Sequence, residues 1–182
     1  MDVQLRKSIN DVTIPQLVLA CEQVDEMIAA GITENLGIRI LEHLADLYAK
    51  RRNGGSASPY KASHVKVWSK NAAALYAANP CRPFKDCFCV EHGTPRRAFA
   101  RMVRGLHTSR ELTADRMNKL VDERWKIAVL THDEHAQLNK VARSRSLNTP
   151  EERWALINLE FVDLPTELSC TCAALAHGAD RV

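Results

Sequence analysis

The chain has 182 residues, 46% of them hydrophobic and 26% charged, the make-up of one soluble globular domain with room for a helical extension. No apolar run reaches membrane-spanning length, and Met1-Asp2-Val3-Gln4 lacks a secretory layout, so the expectation is a reducing cytoplasm with its six cysteines as thiols or metal ligands. The net charge of +3 hides an asymmetry: residues 1–48 carry three basic side chains against eight acidic ones, and residues 49–110 thirteen against two, which favours a polyanionic partner on the basic part.

Thr13-Ile14-Pro15 starts a first helix, with Leu17, Cys21, Val24 and Ile28 at helical spacing and Gly31 as its stop. Thr33-Glu34 starts a second, with Leu36, Ile40, Leu44 and Leu47 on one stripe and Lys50-Arg51-Arg52 at the end. The two predict a helical hairpin over 1–53, serving as core, as a dimer surface or as a docking arm for a protein partner. Asn53 to Pro59 is a loop and a boundary. Tyr60 to Trp68 is open between helix and extended chain. Ser69 caps a helix that ends before Asn79-Pro80, and Phe88-Cys89-Val90 reads as a strand ending at Glu91.

Pro95 opens a helix with Phe99, Met102, Val103 and Leu106 on one side and Arg96, Arg97, Arg101 and Arg104 on the other. Thr113 starts another, ending near Trp125, and Lys126 to Leu130 reads as a buried strand. Thr131 with Glu134 forms a capping box for a helix from His132 to about Arg143. Thr149-Pro150 begins a last helix, and the segment after Leu164 has little pattern. The expected organisation is a mainly helical α+β protein: a hairpin over 1–53, a central domain over 54–164 and a tail over 165–182.

Two motifs carry chemistry. Glu91-His92-Gly93-Thr94-Pro95 ends one strand, and Thr131-His132-Asp133-Glu134-His135 opens the capped helix, with Asn139 at i+4 from His135. A carboxylate beside an imidazole offers one metal ligand and one general base. A His and an Asn at i and i+4 project from one helical face and can close the same site. The order strand, Glu-His, helices, strand, capped helix resembles the HNH nucleases of the ββα-metal superfamily over about residues 86–145.

The resemblance implies that Glu91 is a metal ligand, His92 the general base, and His135 and Asn139 the helix ligands. It implies a divalent ion, Mg²⁺ or Mn²⁺ first and Zn²⁺ or Ni²⁺ as alternatives. It also implies hydrolysis of phosphodiester bonds, in DNA before RNA, in a phage, restriction or defence setting. Arg96, Arg97, Arg101, Lys140 and Arg143 are the expected phosphate contacts. The long connection between the motifs departs from the pattern, and Asn118 is no clear counterpart of the family's central Asn. Two alternatives stand beside it: a catalytically inactive nucleic-acid binder of the same fold, and a protein-interaction or regulatory protein. A four-thiolate zinc site from Cys81, Cys87, Cys89, Cys170 and Cys172 is a further alternative, and Trp68 reads as core.

Overall fold

A computed structural model describes residues 12–52, 65–80, 83–143 and 147–163. In chain order it contains α1 (Ile14–Ala29), α2 (Glu34–Gly37), α3 (Arg39–Arg52), β1 (Val67–Ser69), α4 (Lys70–Ala78), α5 (Phe84–Cys87), β2 (Phe88–His92), α6 (Arg96–Thr108), α7 (Ala114–Arg124), β3 (Ile127–Thr131), α8 (His132–Ala142), α9 (Pro150–Ala155) and β4 (Phe161–Asp163). The protein is α+β and mainly helical, around one four-stranded mixed sheet of order β2-β3-β1-β4. The β2 and β3 strands are antiparallel, with Phe88 opposite Thr131 and His92 opposite Ile127. β3 runs parallel to β1, and β4 closes the edge antiparallel to β1.

Local chemistry accounts for the main junctions. Ser69 Oγ accepts from the Ala72 amide and starts α4. Thr131 and Glu134 make the reciprocal capping box at α8, each side chain bonded to the other's amide at 3.2 and 2.9 Å. Glu134 goes further. Its buried carboxylate also accepts from Ser69 Oγ at 2.6 Å and Asn71 Nδ2 at 3.0 Å, so one side chain ties the start of α4 to the start of α8. Gly31, at φ 87°, takes the left-handed conformation that ends α1.

Three apolar clusters hold these elements. α1, α3, α6 and α7 share one helical core, including Leu17, Val24, Leu41, Phe99, Val103, Met117 and Trp125. The N-terminal helices thus close a bundle with the two helices that connect β2 to β3. One face of the sheet packs Trp68, Phe88 and Val129 with residues of α4 and α5, and Trp68 is fully buried there. The other face packs Ala128 and Leu130 against Leu138 and Ala142 of α8 and Trp154 of α9. The open segment before Trp68 resolves, in its described part, into the short strand β1. The short elements α5 and β4 have no counterpart in the sequence reading. The tail after Leu164, and Cys81, Cys170 and Cys172 with their zinc alternative, lie outside the described residues.

Candidate functional site

Alternation along β2 decides what the first motif can do. Successive strand side chains point to opposite faces, so Glu91 goes with Cys89 to the α8 side and His92 goes to the side of the helical core. Glu91 is buried, and its Oε2 lies 3.1 Å from His135 Nε2 on α8. One helical turn on, the Asn139 side-chain amide lies 3.1 Å from the same ring nitrogen. The His135 side chain is 37% exposed, so this cluster opens to solvent. Three of the four expected site residues, Glu91, His135 and Asn139, therefore come together.

A fourth residue completes the cluster and gave no signal in the sequence. Arg153 of α9 is almost wholly buried, and its Nη1 donates to Glu91 Oε1 at 2.5 Å and to the His92 carbonyl at 3.2 Å. In sequence, Arg153 is one position of the helix that Thr149-Pro150 begins, and nothing beside it marks it as buried. Cys89, two residues before Glu91 on the same face, has its thiol pushed up to about 12 by burial and then by the nearby Glu91 and Glu134 carboxylates. It is held as a neutral thiol.

His92 sits elsewhere. Its ring packs edge-on to Trp125 at 4.9 Å between centroids, and its Nε2 lies 3.9 Å from Asp46 Oδ1 of α3. Lys50 and Arg96 also approach that aspartate, Lys50 at 2.7 Å. Burial, then the positive charges of Arg96, Lys50 and Arg153, push the His92 imidazole down from 6.5 to about 3. The expected pairing of Glu91 and His92 in one site is thus not what the strand presents. The imidazole beside the carboxylate is His135.

The expected phosphate contacts divide into two groups. Arg97 faces Glu42 at 3.4 Å, and Arg101 bonds Glu34 and Asn35 at 3.1 and 2.8 Å. Arg104 bonds Asp25 at 2.7 Å. Three of the four arginines on the basic face of α6 are therefore matched by acids of α1 to α3. Arg96 is looser, its nearest carboxylate among the described residues lying 3.8 Å away. Lys140 and Arg143 are exposed and carry no ion pair among the described residues. Arg143 meets Arg96, Arg97 and Arg101 around a groove of about 520 Å³ that also includes Asn35 and Glu42. His135, Asn139 and Arg143 fall at i, i+4 and i+8, so one stripe of α8, continued by its C-cap Arg143, runs from Glu91 to this groove.

Comparison with models of protein families, with curated proteins and with solved structures finds no match for this chain. The site has to be read on its own chemistry. Among the described residues no three His, Cys, Asp or Glu side chains converge for a metal. An ion here would be held by Glu91 and His135, with the Asn139 carboxamide, whose Nδ2 faces the ring, turned over to offer its oxygen as the third protein donor and water for the rest. The 3.1 Å between Glu91 Oε2 and His135 Nε2 suits this, because adjacent ligands at about 2.1 Å from an octahedral ion are about 3 Å apart. The Arg153 bond to the other oxygen is the kind of outer contact that orients a ligating carboxylate. No helix among the described residues is long and apolar enough to cross a membrane.

Proposed function

We propose that the protein is a metal-dependent, HNH-like endonuclease that hydrolyses phosphodiester bonds, in DNA before RNA. The observation that carries this reading is the stripe along α8 and its C-cap: His135 at the Glu91 carboxylate, Asn139 one turn on, and the C-cap Arg143 at the arginine groove. Glu91, His135 and Asn139 would hold a divalent ion, with Mg²⁺ or Mn²⁺ favoured by the oxygen-rich, water-open donor set. Bound there, such an ion supplies stabilisation of charge on the phosphoryl oxygens and a water that deprotonates near neutral pH. Arg153 keeps the carboxylate turned toward His135. Arg143, Arg96 and Lys140 are placed to take the flanking phosphates, which orients a strand without reading its sequence.

Plasmid nicking with Mg²⁺, Mn²⁺, Ni²⁺, Zn²⁺ and EDTA lanes tests the reading, comparing wild type with Glu91→Gln, His135→Ala and His92→Ala. The expectation is metal-dependent nicking that Glu91→Gln and His135→Ala each lower by about 100-fold or more, the scale of a lost ligand or acid–base group. Loss in His92→Ala with full activity in His135→Ala would instead hand the chemistry to the Asp46 face.

A second reading is favoured by the Arg153–Glu91 bond, which already neutralises the carboxylate. In that reading Glu91, Arg153 and His135 form a structural triad, and the protein is a catalytically silent nucleic-acid binder. It would retain salt-dependent DNA binding, unchanged by metal or EDTA, with no nicking in any lane.

A further inference from the structure

The placement of Arg153 has a consequence for the Glu91 cluster beyond holding it together. Arg153 is 2% exposed, and no solvent shares the load of its charge. Its Nη1 divides between Glu91 Oε1 and the His92 carbonyl, so it fixes both the carboxylate and the backbone at the end of β2. The helix that carries it is held from both sides. Thr149 caps α9, its Oγ1 accepting from the Glu152 amide, while Trp154 packs on Phe161 and beneath the Gly93 backbone. Arg153 therefore cannot swing away as a surface arginine does. A fixed cation on one oxygen of a carboxylate opposes any second cation on the other, an opposition that the burial of Arg153 sustains and the solvent opening beside His135 moderates.

We propose that Arg153 is a positioning residue that aims Glu91 Oε2 at His135 while holding the site's affinity for a divalent cation low, so that the ion is exchangeable. This inference rests on the metal reading of Glu91 and His135. It divides the arginine's action into two parts with opposite signs. Its hydrogen bond organises the carboxylate and favours a cation, and its charge disfavours one. A residue with a purely structural role lacks the second part.

The two parts separate in Arg153→Gln and Arg153→Lys, measured as Mn²⁺ binding by electron paramagnetic resonance at neutral pH with thermal melts alongside. Gln can keep a donor near Glu91 without the charge, so removal of the guanidinium–ion repulsion is expected to let Arg153→Gln bind Mn²⁺ about 10-fold more tightly than wild type. Lys keeps the charge, so Arg153→Lys should stay within about twofold of wild type. A folded Arg153→Gln that binds Mn²⁺ no better than wild type overturns the inference while leaving the metal reading standing. Absence of Mn²⁺ binding in wild type and both variants overturns the metal reading and the inference with it.

Wild type supplies an arm that needs no variant. Mg²⁺ is titrated while the Arg153 guanidinium and His135 ring resonances are followed by NMR. Both should shift along one binding curve, because both touch the same carboxylate. A His135 response without any Arg153 response overturns the inference even if the variants fail to fold.

Discussion

At the scale of single residues, His92 shows how strongly surroundings redirect a side chain. Its imidazole lies between Trp125 and the Asp46 carboxylate, four-fifths buried, and is pushed down to about 3. The unfolded chain takes up that proton near pH 6.5, whereas the folded chain does not until near 3. Between those values the unfolded state binds more protons, so this contribution to stability is complete above pH 6.5 and is lost as the pH falls. The loss approaches about 1.4 kcal/mol per pH unit. Urea denaturation at pH 7.5 and pH 5 should show a lower midpoint at pH 5 in wild type. In His92→Phe, which keeps an aromatic ring against Trp125, that drop should shrink. An undiminished drop would mean that His92 reaches solvent or the Asp46 oxygen to be protonated in the fold, and that other groups set the acid sensitivity.

At the scale of elements, the turn after β2 and the start of α9 are built against each other. A Cβ on Gly93 would come 2.9 Å from Trp154 Cζ2 and 3.1 Å from Pro150 Cα, with Pro150 Cβ closer still. Neither neighbour can give easily, since one is backbone and the other a buried ring. Gly93→Ala should therefore displace α9 and cost about 1–3 kcal/mol, the usual penalty of overpacking. Because Arg153 rides on that helix, the variant should also loosen Glu91. Chemical denaturation measures the cost, and a midpoint equal to wild type would show that α9 floats on the turn.

The same elements show how far the sequence could be read. The capping box at Thr131, the helix starts at Thr113 and Thr149 and the two strands around the motifs were legible because each is written in neighbouring residues. The opposite facing of Glu91 and His92 was missed because the strand was read as ending at Glu91, whereas β2 continues through His92. Arg153 was not legible, because its partner lies 62 residues away and nothing local marks it as buried. β4, three residues long, exists through pairing with β1 rather than through a pattern of its own.

At the scale of the whole molecule, the charge asymmetry along the chain becomes internal pairing in space. Arg97, Arg101 and Arg104 spend their charge on Glu42, Glu34 and Asp25 of the helices they pack against. The basic stretch therefore presents fewer free cations than its sequence implies. Among the described residues, Lys140 and Arg143 carry no ion pair and Arg96 reaches Glu42 and Asp46 only at 3.8 and 3.9 Å, so these are the three loosely held basic groups. A nucleic acid that binds by displacing counterions gains from free cations, whereas a paired arginine must first give up its carboxylate. Three phosphate contacts predict that log K falls against log salt with a slope of about −3, from roughly 0.9 per contact on duplex DNA. Opening all the α6 pairs would bring six contacts and a slope of about −5. Fluorescence anisotropy on a labelled duplex between low and moderate salt separates the two. A slope near −3 that becomes shallower in Arg143→Gln means that the groove binds with its acidic wall in place. A slope near −5 means that the acids of α1 to α3 yield their arginines to DNA, and that the N-terminal helices compete with the substrate for the same charges.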